Sequence, residues 1–548
     1  MGWLTELSTV YDRVAENKKI EKKPLPLYHI TNNAPLVITL DGEGNFISAK
    51  LLGKAERDDW QTCMPCTEKS AARTSGVEAY PFCDKLEYVA GDYANYAEGK
   101  NLKTKHDEYN TLLSNWAQSE SSNQKIMSVY KYVKKGTLIK DILKDGSIPE
   151  MDTPAKIGAK ESNIFIRWNV EISGDAESRT WQDSEIQQLW IEYYSRCYLK
   201  DRNFCYISGK NEPIAELHPA KIRNAGDSAK LISSNDNSNY TFRGRFTNAN
   251  QACQIGMDVS VKAHNALRWL IDRQGTTIGN GLTIVSWCSA SDIQPDLLKS
   301  SHDLNPDEED EGEGYFTLEE SAKRIKNRLL GYYGEIPEND KILIMGLNAA
   351  TPGRMSLLLY REFTKSAFFE AQKYWHSHLA WFYTYWKKGE KTPYRTVSAP
   401  SPEEIAKAAY SGHISDSAKS MTIQRLLSCI IDKTPIPSDI EQLCFTRASR
   451  LNTLDGSERE KTLETACAVI KYNFYAKDKE DYTVGLEEDR TDRDYLYGRL
   501  LAVADKIETV VLEDRNENRQ SNAVRYMQRF SKYPYSTWNY LYTDKLQP

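Results

Sequence analysis

Ile342-Leu-Ile-Met-Gly-Leu347, Ala350-Thr-Pro-Gly-Arg354 and Met355-Ser-Leu-Leu-Leu-Tyr360 follow one another in the chain and decide how the rest is read. An apolar run of strand length enters a Thr-Pro-Gly-Arg turn, and a second apolar run leaves it. Further on, Thr396–Pro402, carrying Pro400 and Pro402, marks a boundary, and no convincing strand pattern follows about residue 403. Leu496, Leu500, Val503 and Ile507 instead recur on one face of a helix. The fold class expected is α+β multidomain: a mixed α/β N-terminal and central body with an all-helical C-terminal bundle. Three regions follow: 1–160, an N-terminal α/β region; 161–400, a central α/β region; and 403–548, a helical domain.

Upstream, Trp3, Leu7, Val10 and Val14 share a face at helical spacing and predict an opening helix. Leu36-Val-Ile-Thr-Leu40 and Phe46-Ile-Ser-Ala-Lys50 flank Asp41-Gly-Glu-Gly-Asn45, a turn dense in residues that tolerate positive φ, and predict a hairpin. Lys100 to about Gly136 reads as helical, Asn163 to Val170 as a strand, Ser260 to Asp272 as a helix and Leu282 to Cys288 as a strand. Pro306 to Gly314 is too acidic and Gly-rich to pack and reads as a loop or linker.

A chain of 548 residues exceeds one core and implies about three or four units. It is 40% hydrophobic and 27% charged, with 33 Tyr and 12 Trp, an excess of amphipathic rings that suits cores, interfaces and base stacking alike. The start, Met1-Gly-Trp-Leu-Thr-Glu-Leu, has no basic leader before an apolar run, and no segment is apolar enough to span a bilayer, so a cytoplasmic protein is expected. Ten cysteines without a secretion signal are expected as reduced thiols.

The net charge of -6 is spread unevenly. Asp307-Glu-Glu-Asp-Glu311 with Glu313 gathers six acidic groups into one short run, whereas residues 341–400 hold nine basic against three acidic side chains and residues 121–170 nine against five. Local basic surfaces on an acidic chain can bind nucleic acid, because phosphates are contacted patch by patch.

Candidate binding residues sit in short Arg, Gly and hydroxyl motifs. Arg73-Thr-Ser-Gly76 follows Lys69 and leads into Tyr80-Pro-Phe-Cys-Asp84, a basic loop on an aromatic anchor that could enter a DNA groove. Lys221, Arg223, Lys230, Arg243 and Arg245 flank Ser233-Ser-Asn-Asp-Asn-Ser-Asn239, a polar stretch that offers charge and amide donors together. Arg515, Arg519, Asn522, Arg525 and Arg529 recur at helical spacing near Tyr526, which predicts a single basic stripe able to track a strand.

Catalytic chemistry finds less support. No phosphate-binding Gly-rich loop ending in Lys-Ser/Thr, no His-Glu-x-x-His and no Gly-x-Ser-x-Gly occurs, so no catalytic residue, metal or cofactor is assigned. Cys63-Met-Pro-Cys66 with Cys83 could begin a zinc site, but no second close pair completes four ligands. Cys205 to His218 resembles a Cys/His nuclease hairpin without its paired His, and reads as a structural turn. The alternative kept open is a metal-dependent nucleic-acid-processing enzyme using Cys63, Cys66 and Cys83. A third reading is a scaffold whose Arg motifs touch only protein.

Taken in order, the segments resemble the large subunit of the type I-C CRISPR surveillance complex, Cascade. The resemblance runs through Leu7-Ser-Thr-Val-Tyr-Asp-Arg13, Arg73-Thr-Ser-Gly76 to Asp84, Tyr88-Val-Ala-Gly91 and Cys205-Tyr-Ile-Ser-Gly209. It continues in Leu217-His-Pro219, Ser233-Ser-Asn235, Asn265-Ala-Leu, Thr351-Pro-Gly-Arg354 and Tyr495-Leu-Tyr-Gly-Arg-Leu500, with a looser match over Asn248 to Ala263. It implies a non-catalytic subunit that recognises the protospacer-adjacent motif on double-stranded DNA, promotes duplex opening and R-loop formation, and supports recruitment of a helicase-nuclease. The implied partners are crRNA, target DNA, the backbone, crRNA-end-capping and small subunits of the complex, and the helicase-nuclease, with no membrane.

Within that frame Lys69, Arg73, Thr74, Ser75 and Gly76 are assigned to the motif-bearing duplex. Asn235, Arg243 and Arg245 are assigned to DNA near the fork, and Arg354 to target or guide backbone. Arg515, Arg519, Arg525 and Arg529 are assigned to the displaced strand. The resemblance also implies that the C-terminal domain serves as a small-subunit element and can be made separately from an internal start, for which Met421 is the candidate.

Overall fold

The computed structural model describes residues 2–73, 76–96, 101–146, 163–224, 226–233, 246, 249–279, 281–304, 318–351, 353–386, 393–450, 453–454 and 456–546. The chain forms two compact units: Met1–Gly275 with Asn348–Leu358, and Thr276–Leu347 with Leu359–Pro548. These cuts differ in place from the three regions read from the sequence. The acidic run 307–313 lies outside the described residues.

The first unit opens with helix α1 (Trp3–Glu16), which buries Leu4, Leu7, Val10, Tyr11 and Val14. Strand β1 (His29–Asn33) precedes the hairpin of β2 (Leu36–Asp41) and β3 (Phe46–Leu51), and β4 (Gln61–Pro65) returns antiparallel to β1. At the hairpin turn Asp41 Oδ1 accepts from the backbone N–H groups of Glu43 and Asn45 at 2.9 and 2.8 Å. Gly44 sits there at φ +82°, and a Cβ on it would lie 2.5 Å from the Ser128 carbonyl oxygen. Only glycine accommodates both demands.

The long helical stretch is two helices, α2 (Leu102–Ala117) and α3 (Gln124–Lys135). Asn123 caps the second by accepting from Ile126 N, and Gly136 closes it at φ +61°. Strand β5 (Ile166–Glu171) pairs parallel with β2, giving the sheet order β3-β2-β5. Helix α4 (Ser184–Tyr198) brings Trp190 against Trp116 with ring centroids 5.0 Å apart, in a core that also holds Phe82, Tyr109 and Trp168. Helix α5 (Met257–Gln274) packs along α1, with Lys262 bound to Asp12 at 2.7 Å.

The second unit carries an antiparallel pair, β6 (Thr276–Ile278) and β7 (Leu282–Cys288), and helix α6 (Leu318–Tyr333). Strands β8 (Lys341–Thr351) and β9 (Arg354–Thr364) follow, their joined ends at Asn348–Leu358 counted with the first unit, and the sheet order is β9-β8-β7-β6. Helix α7 (Lys365–Leu379) leads to a second small sheet, β10 (Trp381–Trp386) with β11 (Pro393–Ser398). Thereafter the described residues are helical: α8 (Pro402–Tyr410), α9 (Asp416–Asp432), α10 (Ser438–Ala448), α11 (Gly456–Asp478), α12 (Arg493–Asp514), α13 (Asn522–Lys532) and α14 (Pro534–Leu541). The start of α8 is set by a capping box, Ser401 with Glu404, and by Pro402 at the first helical position.

Helices α8 to α11 share their core with the strands and helices that precede them. Ile342 and Ile344 of β8, Phe368 and Trp375 of α7, and Ile405, Leu426, Ile440, Val469 and Tyr472 belong to one buried cluster. Met421 is exposed in the middle of α9, whose Leu426 and Ile430 enter that cluster. Mixed α/β architecture with a helical C-terminal region thus matches the expectation from the sequence.

Candidate nucleic-acid interface

Lys69 lies exposed on a short helix, Glu68–Ala71, whose Thr67 and Ser70 cap each other. Arg73 follows it but turns inward. Its Nη1 and Nη2 donate to Asp84 Oδ2 and Oδ1 at 2.9 and 2.7 Å, and Nη1 also reaches the Glu78 carbonyl at 2.8 Å. The guanidinium stacks between Tyr80 and Tyr88, 4.6 Å from each ring centre, and its side chain is 9% exposed. Asp84 receives two further donors, Tyr80 N and Lys85 N, so four N–H bonds converge on one buried carboxylate. In this arrangement Arg73 anchors the loop through three N–H bonds, while Gly76, at φ +89° with open space around it, stands at the surface. Thr74 and Ser75 lie outside the described residues, as do Asn235, Arg243 and Arg245.

Arg354 is exposed at the start of β9, and the neighbouring backbone is tied to Lys230. Lys230 N donates to the Gly353 carbonyl at 3.2 Å, and Met355 N to the Lys230 carbonyl at 3.0 Å. The Thr-Pro-Gly-Arg turn and the basic segment 221–230, more than a hundred residues apart, therefore meet in the first unit. Glu68 joins the same neighbourhood by accepting from Glu216 N and Leu217 N, each at 2.6 Å.

The C-terminal stripe requires correction. The predicted run from Arg515 to Arg529 is not one helix: α12 ends at Asp514, Arg515 is its C-cap, and α13 starts only at Asn522, capped by Ser521. Arg519 lies between them and pairs with Glu508 and Glu517 at 2.8 and 3.0 Å. Asn522 is buried against Glu508. Arg525 and Arg529 do lie exposed on one face of α13, with Arg529 5.9 Å from the Tyr540 ring.

Charge counted along the sequence is likewise offset in space. Lys125, in the basic window 121–170, is 4% exposed and sits between Asp175 and Asp183 at 2.7 and 2.5 Å. In the window 341–400, Lys341, Arg361 and Lys365 pair with Glu362, Asp432 and Glu338.

The thiols behave as core groups. Burial pushes Cys63 and Cys66 up to about 12, and Cys83 packs in the first-unit core. Unless a metal cation binds them, such thiols stay protonated at neutral pH. Among the described residues no group of three or more His, Cys, Asp or Glu side chains converges as a metal site would require. His218 is a buried neutral imidazole, 2.8 Å from Ser260 Oγ and 3.7 Å from Cys253 Sγ, lowered to about 3 by burial and then by His264.

One site was missed in the sequence. The second half of α5 clamps two extended segments: Asn265 Nδ2 donates to the carbonyls of Leu25 and Pro26 at 3.0 and 3.3 Å, and Trp269 Nε1 to that of Lys22 at 2.6 Å. Arg268 holds the other segment through the carbonyls of Ala220 and Lys221, both at 2.8 Å. Between them opens a cleft of about 250 Å3, lined by Lys22, Lys23, Lys221, Arg223 and Arg268 against the single carboxylate of Asp272. Lys22 pairs with Asp272 and Arg223 with Asp227. Lys221 and Arg268, both half-buried, have no carboxylate partner among the described residues. Burial, with the Arg268 charge next in size, brings Lys221 down to about 8, and burial brings Arg268 to about 10. Arg268 gave no signal in the sequence, because a single Arg on a helix of core-type residues resembles any solvated position.

The family model for CRISPR-associated protein (Cas_Csd1) matches residues 7–547, and the chain belongs to that family. The resemblance read from the ordered motifs is thereby borne out. No curated protein matches the chain. No helix among the described residues is long and apolar enough to cross a membrane.

Proposed function

We propose that this chain is the large, non-catalytic subunit of a type I-C Cascade, an RNA-guided complex in which it recognises the protospacer-adjacent motif on duplex DNA and promotes opening of the duplex. Family membership over nearly the whole chain supports the setting. The observation that carries a nucleic-acid role is the cleft beside α5, lined by five cationic side chains of which Lys221 and Arg268 have no carboxylate partner among the described residues, on a chain whose overall charge is negative. Uncompensated cations half out of water are costly, and a polyanion repays that cost. In RNA-guided effectors base pairing reads the target while protein reads the short flanking motif and the backbone. The exposed elements of the first unit, Lys69 and the Gly76 loop, are the motif-facing surface in this reading, with Arg73 as their internal support. The helical C-terminal region serves as a small-subunit element along the displaced strand, and the assembled complex recruits a separate helicase-nuclease.

The test is binding of the complex, reconstituted with crRNA and its partner subunits, to duplexes that share one target and differ only in the flanking bases, at fixed salt. Wild type should prefer one flank, and Lys69→Ala should weaken that preference. Equal binding to every flank would remove motif recognition from this chain.

A further inference from the structure

We propose that the cleft between α5 and the segments 22–25 and 221–224 seats a single backbone phosphate of a nucleic-acid strand, gripped by Lys221 and Arg268. This rests on the nucleic-acid reading above and assigns to it a site that the sequence motifs did not mark.

Four observations converge on it. Arg268 spends Nε and Nη2 on two backbone carbonyls, which fixes the guanidinium plane, and among the described residues no acceptor takes Nη1. A guanidinium held rigidly with donors to spare is preorganised for a phosphate oxygen. Lys221 supplies the second charge from a backbone held at φ +59°, a left-handed conformation that is strained for a non-glycine residue and concentrates at ligand sites. Its N–H bond to the Asp227 carbonyl at 2.8 Å, together with the Arg268 bond to its own carbonyl, holds that turn in place.

The third observation is charge. Lys221 contacts Asn32, a neutral acceptor, so neither cation is neutralised from within the chain among the described residues. The fourth is size: about 250 Å3 falls just below the roughly 300–1,000 Å3 of small-ligand pockets, room for a phosphate group and too little for a duplex. Asp272 lies at the rim, taken up by Lys22.

The experiment uses the full chain and a fluorescent ten-nucleotide single strand, as RNA and as DNA, titrated over a range of salt. Lys221→Gln removes the charge while retaining a donor for Asn32. Arg268→Gln is the second variant, and melting temperature is recorded for both so that loss of fold is not read as loss of binding. Inorganic phosphate and a mononucleotide are the competing probes. Lys221→Gln at unchanged melting temperature should bind the strand about tenfold more weakly, with a slope of log affinity against log salt smaller by about one. Variant and wild-type affinities and slopes that coincide would overturn the seat and assign strand binding to another surface of the chain. A wild-type chain that binds no strand would overturn both. If inorganic phosphate raises the melting temperature of wild type and not of Lys221→Gln, yet both bind the strand equally, the cleft takes a free phosphate and the strand assignment is wrong.

Discussion

Arg73 and Asp84 form a bidentate ion pair with N···O distances of 2.9 and 2.7 Å, closed over by two tyrosine rings. A motif whose composition reads as a groove-entering loop is thus held by its own arginine, and Lys69 and Gly76 are exposed near it.

Breaking that pair strands a buried carboxylate, which costs about 3–5 kcal/mol. Arg73→Ala should therefore lower the melting temperature markedly, whereas Lys69→Ala, at an exposed position, should leave it unchanged. Thermal unfolding of the two variants checks this. An Arg73→Ala protein as stable as wild type, with weakened DNA binding, would return Arg73 to the list of DNA contacts.

Acid should destabilise the fold before the carboxylates titrate. Burial lowers His29, His264, His376 and His378 to about 4 from an ordinary 6.5, with Lys471 adding to the effect at His378. The unfolded chain takes up these protons near pH 6.5 and the folded chain resists until about pH 4, so their contribution is fully present above 6.5 and lost as pH falls through that window. Melting temperature measured from pH 7.5 to 4.5 should decline below about 6.5, and His264→Gln should show a shallower decline.

Strand binding should weaken as pH rises past about 8. Lys221 falls to about 8 through burial and the charge of Arg268, with a lesser contribution from Arg73, against a raising effect of Cys66. A bound phosphate favours its charged form, so binding above pH 8 must take up a proton and loses affinity as the proton becomes scarce. Affinity of the ten-nucleotide strand between pH 7 and 9.5 should fall for wild type and stay flatter for Lys221→Gln.

Helix α12 should tolerate change on the side that looks most apolar. Val503 and Ile507 are 56% and 55% exposed, whereas Leu512 is 4% exposed. Ile507→Ser should shift stability by less than about 0.5 kcal/mol, and Leu512→Ser by about 2 kcal/mol or more. Chemical denaturation of the two variants distinguishes them, and a larger loss from Ile507→Ser would mean that this face is covered within the chain.

What the sequence determined by itself is local or ordered. Period and punctuation gave α1, the β2–β3 hairpin, β7, β8 and the change to helices beyond residue 402, because side-chain periodicity and Gly or Pro backbone limits act over a few residues. Reading 515–529 as a continuous stripe came from spacing without regard to the Ser521 cap, and reading Lys100 to Gly136 as one helical stretch missed the Asn123 cap. The order of short motifs carried the family. Only the tertiary structure decided which charges are available: Arg73 is consumed by Asp84, Lys125 by Asp183, and Lys221 and Arg268 are left facing a cleft. It also decided which face of α12 is buried, through Ala504, Glu508 and Leu512 rather than the apolar row at 496, 500, 503 and 507. The reason is physical. Desolvation and ion pairing depend on residues tens to hundreds of positions away, and a charge in a sequence window carries no record of its partner.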